Sequence, residues 1–163
     1  LSTDGGRVRT PEVLLANNGF LAGFGFYRKH LIPVVTWGSM TRPLTDEESA
    51  SIGGHRTWGV IPAAPSGTTV RRLADGRILV RNVYSYSRHS LAGGRRRQRA
   101  ARSHRKAFEA RFPGLTDVPF EYTWGGALSM ARNGEPVFGT LADGISAAGV
   151  HNGTGLSLPL ILT

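Results

Sequence analysis

Thr68-Thr-Val-Arg-Arg-Leu-Ala-Asp75-Gly76-Arg-Ile-Leu-Val-Arg-Asn-Val83 sets two β-rich runs on either side of an Asp-Gly pair. Asp-Gly tolerates the positive φ of tight turns, so this arrangement is the strongest short-range signal for a β-hairpin. Side chains alternate along a strand, so of the neighbours Arg71 and Arg72 only one reaches any given face. Working outward, residues 31–40 are also β-rich, with Val34, Val35, Thr36 and Trp37 following Pro33. Pro43-Leu-Thr-Asp-Glu-Glu48 then opens a short helix: Thr45 is an N-cap and Glu48, three residues on, completes a capping box. That helix must end before Gly53-Gly54. Nearer the N-terminus, the apolar run of residues 12–16 is closed by Asn17-Asn18-Gly19 and reads as a buried strand internal to a sheet.

Beyond the hairpin, Gly93-Gly94 closes a loop, and residues 95–112 place Ala100, Ala101, His104, Ala107, Phe108 and Phe112 at spacings of one, three and four. This predicts an amphipathic helix with a basic outer face, stopped by Pro113-Gly114. Residues 120–130 read as a long strand with a break at Gly125-Gly126, and residues 135–140 and 145–148 as further short strands. A last helix is expected over residues 156–162, with Pro159 tolerated in about its first turn. Strands outnumber helices and hairpins dominate. The expected class is α+β, with a mostly antiparallel sheet and flanking helices.

Composition excludes several functions. A chain of 163 residues fits one domain with a real core. It has no cysteine, which removes disulfides, thiolate zinc sites and a cysteine nucleophile, and is compatible with a cytoplasmic location. No apolar run is long enough to span a membrane. The first residues carry no signal-peptide pattern and no initiator Met, so the chain reads as a piece of something longer. Net charge is +9. Most of it comes from Arg95, Arg96, Arg97, Arg99, Arg102, Arg105, Lys106 and Arg111; without them the chain is close to neutral.

Motifs narrow the chemistry further. Gly23-Phe-Gly25-Phe-Tyr-Arg28 fails as a dinucleotide fingerprint, because Arg28 replaces the third glycine and no βαβ unit follows. There is no Gly-Lys-Ser/Thr phosphate loop and no Gly-x-Ser-x-Gly elbow. The five histidines show no metal-ligand spacing, so no metal site is expected. The arginine segment is either a solvated helix face or a phosphate-binding one. Its aromatics, Phe108 and Phe112, fall on the apolar stripe, which favours the solvated face over nucleic acid. Trp124-Gly-Gly in a strand suggests close approach of a backbone or a flat ligand, or else a core Trp beside a bulge. Finally, residues 149–158 read Gly-Val-His-Asn-Gly-Thr-Gly-Leu-Ser-Leu. A glycine-rich turn ahead of a helix brings free N–H groups to a flat or anionic ligand. His151, inside that turn, is either a site residue or a turn residue.

Taken in order, Val13-Leu-Leu-Ala-Asn-Asn-Gly19, Leu31-Ile-Pro-Val34, Asp75-Gly-Arg-Ile-Leu79, Phe112-Pro-Gly-Leu115, Trp124-Gly-Gly126, Asn133-Gly-Glu-Pro-Val-Phe-Gly139 and the run at 149–158 resemble one family. It is the FAD-dependent amino acid and amine oxidoreductases of the D-amino acid oxidase (glycine oxidase-like) type, C-terminal portion. The resemblance implies a remnant of the FAD-binding domain in residues 1–30, a substrate-binding domain in 31–130 and an FAD-contacting segment in 131–163, with the N-terminal Rossmann βαβ unit missing. It implies FAD contacts at Asn17, Gly19, Gly149, Asn152, Gly153, Thr154 and Gly155. Substrate would lie between flavin and sheet, against Trp37, Arg72, Trp124 and His151. The implied reaction is hydride removal from a C–H beside an amine, with a small amine or amino-acid-like molecule as partner and homo-oligomerisation left open.

Two departures qualify the implied activity. The chain lacks the family's Gly-x-Gly-x-x-Gly unit, so by itself it is expected to hold FAD weakly and to be inactive. The family's carboxylate-gripping arginine after the Trp-Gly-Gly position is replaced by Ala127-Leu128-Ser129-Met130, which favours an amine or polyamine conjugate unless Arg71 or Arg72 supplies the cation. The alternative from another class is a non-catalytic basic domain that binds nucleic acid or an acidic partner through residues 95–111.

Overall fold

The computed structural model describes residues 2–64, 67–86 and 93–152. The helix expected at 156–162 lies outside them. The fold is α+β. Strands β1 (Ser2–Thr3) and β2 (Gly6–Arg7) form a small ladder. They are followed by β3 (Val13–Leu15), a 3-10 turn (Asn18–Phe24), β4 (Leu31–Thr41), α1 (Asp46–Ser51) and β5 (Trp58–Val60). Then come β6 (Thr69–Arg72), β7 (Ile78–Tyr86), α2 (Gly94–Arg111), β8 (Phe120–Ala131), β9 (Val137–Ala142) and β10 (Ile145–Gly149). The backbone forms two units. One holds the described residues up to Val34 and from Leu128 onward; the other is Val35–Ala127.

In the Val35–Ala127 unit, the five-stranded sheet has the order β5-β6-β7-β4-β8. The expected hairpin is β6–β7, antiparallel with Arg72 opposite Ile78. Leu73 N donates to Arg77 O at 2.9 Å, closing a loop of Ala74, Asp75 and Gly76. The capping box of α1 forms in both directions: Glu48 N donates to Thr45 Oγ1, and Thr45 N to Glu48 Oε2. Helix α2 packs on β7. Beneath it Leu44, Val70, Ile78, Val80, Phe108, Leu115 and Val118 make the main core.

His104 belongs to that layer. It is fully buried on α2, with Nδ1 2.7 Å from Ser39 Oγ and Nε2 beside the Asn82 backbone. Burial lowers its pKa, opposed in part by the Asn82 backbone, so the ring is held neutral.

Strand β8 runs through Gly125-Gly126 without the expected break. The reason for a glycine there is close packing: a Cβ on Gly125 would lie 3.0 Å from Val35 Cγ1 and 3.2 Å from the Trp37 ring.

In the other unit, the sheet order is β3-β10-β9. β10 is antiparallel to β9 and parallel to β3. Leu15, Leu21, Leu31, Val137, Ala147 and Val150 form its core. β3 is an edge strand and Leu14 is 65% exposed, which corrects the expectation of an internal, buried strand. An apolar triplet reads alike at a sheet's edge and at its centre.

Candidate functional site

The sheet of the Val35–Ala127 unit has a covered face and an open face. Val70, Ile78 and Val80 point to the covered face, under Phe108 of α2. Leu79 must then point the other way. Gly38 and Trp124 share its side: a Cβ on Gly38 would meet the Trp124 ring at 3.2 Å and Leu79 Cδ1 at 3.6 Å. Arg71 lies directly opposite Leu79, and Arg81 opposite Thr69, so both guanidinium groups stand on the open face. Arg81 Nη2 donates to Thr69 Oγ1 at 3.3 Å.

Strand β7 then changes phase. Val83 has φ 59°, a left-handed value that costs a β-branched residue strain. Asn82, 7% exposed and in phase with Val80, lies on the covered side with its backbone beside His104 Nε2, yet Val83 also packs there with Val35, Trp37 and Ala100. Two successive residues face the helix, so alternation resumes with Ser85 covered and Tyr84 and Tyr86 open. Ser85 Oγ duly accepts from Trp37 Nε1, and the Arg81 guanidinium sits 5.7 Å from the Tyr84 ring centroid. The open face therefore combines Arg71, Arg81, Tyr84, Tyr86, Leu79 and Trp124. Trp124 is 44% exposed, and both outer tyrosines are exposed. Cations beside aromatic rings suit a ligand with an anionic group and an apolar or cationic remainder.

Two of the residues expected to touch substrate are elsewhere. Trp37 is 3% exposed and lies on the covered face against Ala100. Arg72 is 2% exposed; its guanidinium donates to Ser49 Oγ at 2.8 Å and to the Gly76 carbonyl, tying the hairpin to α1. Parity decides both cases: Arg72 is in phase with Val70, and Trp37 with Val35. Trp124 remains on the open face, and Arg71 is the member of the arginine pair that reaches it. Arg81 and Tyr84 were not singled out from sequence. Alternation alone puts Arg81 with Arg71, but the Val83 kink has no sequence signature.

In the other unit the parallel strands β3 and β10 run in register, Val13 opposite Ile145 and Leu15 opposite Ala147. Their C-terminal ends therefore lie side by side, the place where open parallel sheets leave a ligand crevice. Val150 N donates to Asn18 Oδ1 at 2.9 Å, joining the Asn17-Asn18-Gly19 turn to the end of β10. Asn17, Gly19, Gly149 and Asn152, far apart in sequence, belong to the same unit. The glycines serve the protein's own packing: a Cβ on Gly19 would lie 2.4 Å from Ser129 Oγ, and one on Gly149 would lie 3.2 Å from Asn18 Cα. Asn152, at φ 52°, is a latch; its Oδ1 accepts from Ala131 N at 2.6 Å and its Nδ2 donates to Gly134 O at 2.7 Å. His151 is half-buried beside it. Gly153, Thr154 and Gly155 lie outside the described residues.

FAD can be tested against this end. Asn17 Oδ1 is buried with no partner among the described residues. A buried acceptor left unpaired is costly, and a donor on a bound ring would satisfy it. That atom fits the group; the side chain of Asn152 and the amide of Val150, already bonded, do not offer themselves to it. Among the described residues, no group of three His, Asp or Glu side chains is placed to hold a metal, and no helix is long and apolar enough to cross a membrane.

No protein-family model matches the chain, and no curated protein matches its sequence. Solved structures do match its fold. Glycine oxidase from Geobacillus kaustophilus superposes with a TM-score of 0.69 at 16% identity, over 91% of this chain and 38% of its own. L-proline dehydrogenase from P. horikoshii gives 0.73 at 18% identity, over 93% and 40%. A modified fructosyl peptide oxidase from Aspergillus nidulans gives 0.74 at 11% identity, over 94% and 41%. At such identities the shared property is the fold. The chain spans about two fifths of the length of these structures.

Proposed function

We propose that this chain is the substrate-binding part of an FAD-dependent oxidoreductase that oxidises a C–N bond of an amine or amino-acid-like substrate carrying an anionic group. The observation that carries this reading is the open sheet face, where Arg71 and Arg81 flank Leu79 among Tyr84, Tyr86 and Trp124. The shared fold supports it, since the structures compared are named as oxidases or dehydrogenases of glycine, L-proline and fructosyl peptides.

In this proposal the two arginines hold the substrate's anionic group by charge-assisted hydrogen bonds, which are directional and strong away from bulk water. They take the place of the arginine absent after Trp124-Gly-Gly. Trp124 and Tyr84 give the carbon skeleton an apolar surface and exclude water from it. Asn17 contributes the buried acceptor that orients the cofactor, with the Asn18 to Val150 bond keeping its turn in place. When bound, FAD supplies the acceptor for a hydride from the carbon beside the amine. The chain's own part is binding, orientation and exclusion of water.

Binding at the face is measurable without turnover. Amines bearing a carboxylate, and the same amines without it, are titrated into the full chain; Trp124 emission is read by difference against Trp124→Phe. The expected result is saturable binding of the carboxylate series, weakened about tenfold or more in the Arg71→Met, Arg81→Met double variant. Equal binding by wild type and variant would overturn the assignment.

A further inference from the structure

Helix α2 carries eight Lys and Arg side chains and a single acid, Glu109. Its buried residues are Ala100, His104 and Phe108. With 3.6 residues per turn, the opposite crest is taken by Arg95, Arg99, Arg102 and Lys106, at spacings of four, three and four. These four cations form one line about 16 Å long, and all are exposed. Among the described residues, the only ion pair on the helix joins Arg105 to Glu109, off this line, at 3.8 Å.

The line works against the helix that bears it. Like charges at spacings of three and four repel one another. Arg95, Arg96 and Arg97 also crowd the positive end of the helix dipole, where no acidic residue stands in the first turn. Local features that oppose the fold are expected where a surface serves a partner.

We propose that the crest of α2 is a docking surface for the phosphate backbone of duplex nucleic acid, independent of sequence. The chemistry of the crest selects this partner. Between the cations it offers Gln98, Ser103 and Ala110, with no aromatic ring, so the bases of a single strand find nothing to stack on. The apolar stripe is covered by the sheet, so the helix has no apolar face to sink into a lipid surface. An acidic protein would need an apolar or aromatic anchor at the centre of its interface, and none is present. Evenly spaced, solvated cations are what a backbone of phosphates requires. The lack of aromatics speaks against recognition of bases and leaves backbone contact untouched. This inference is independent of the oxidoreductase assignment, because it uses none of the open-face residues.

The test is fluorescence anisotropy of the full chain with a labelled 20-base-pair duplex of random sequence, across a salt series. Four phosphate contacts give an expected slope of log affinity against log salt of about −3 to −4, with dissociation constants of roughly 10⁻⁴ to 10⁻⁶ M near physiological salt. The Arg99→Glu, Arg102→Glu variant is expected to bind at least tenfold more weakly, with the slope reduced by about two. Circular dichroism checks that it is folded, and Arg99→Gln, Arg102→Gln replaces it if it is not. Undiminished binding by the folded variant would overturn the proposal. So would displacement of the duplex by polyglutamate at equal charge concentration, which would point to an acidic protein, or tighter binding to anionic vesicles than to duplex.

Discussion

His104 is a titratable ring held inside the layer between helix and sheet, where its pKa is lowered chiefly by burial. The sign of its effect on stability follows. In the unfolded chain it takes up a proton as pH falls past about 6.5, while the folded ring resists until lower pH. Its contribution is therefore fully present above the unfolded pKa and is lost as pH falls below it. Glu48 behaves as a carboxylate held down to about 2 by its bonds to Arg42 and Thr45, so its own loss begins only below about 4.5. Urea unfolding between pH 5 and 7.5 should show stability falling toward pH 5, with a slope of at most about 1.4 kcal/mol per pH unit for this one proton. His104→Gln should flatten that slope while lowering stability throughout. At this scale the sequence was partly legible. The spacing put His104 on the stripe of α2, but that it bonds Ser39, 65 positions away, depends on which strands pair.

At the scale of elements, local chemistry was the easiest to foresee. Thr45 and Glu48 stand three apart, the distance a capping box needs, and the structure forms it. Arg42 adds a two-pronged bond to Glu48, at 2.7 Å on each oxygen. Helix α1 is too short to persist without such ends. It matters to the fold because its Ser49 receives the buried Arg72. Thr45→Ala is expected to cost about 1 kcal/mol of unfolding free energy, read as a lower urea midpoint with an unchanged slope. An undiminished midpoint would mean that Arg42 alone anchors the helix. The phase of β7 was not foreseeable in the same way. A valine at positive φ contradicts its own propensity, so nothing nearby in the sequence announces it.

Over the whole chain, the α+β class and the longer strands could be read from turn signals and periodicity. The two- and three-residue strands β1, β2 and β5 are too short to show a period. Pairings between distant segments could not be read either. The parallel match of Val13–Leu15 with residues 145–147, and the bond from Val150 to Asn18, join positions about 130 residues apart. These pairings assemble the end proposed for the cofactor, where Gly19 and Gly149 pack against neighbouring protein atoms and Asn17 Oδ1 is buried without a partner among the described residues. A Gly-x-Gly-x-x-Gly unit is absent from the 163 residues. FAD added to the full chain should bind weakly, with flavin fluorescence changing only at high micromolar protein or above, on the order of 5 to 6 kcal/mol of binding free energy. A tight one-to-one complex would show that the end carrying Asn17 suffices for the cofactor.

Val83 makes the make-up of the open face a matter of counting. Upstream of it, odd-numbered residues of β7 look outward; downstream, even-numbered ones do. One left-handed residue thus works as a parity bit, admitting Arg81 and Tyr84 to the same surface three positions apart, which unbroken alternation forbids. A chain that lost this bit but kept its length would send both tyrosines under the helix and present Ser85 in their place. A single inserted or deleted residue in the strand would therefore exchange several side chains of this surface at once, which no exchange of one side chain for another can do.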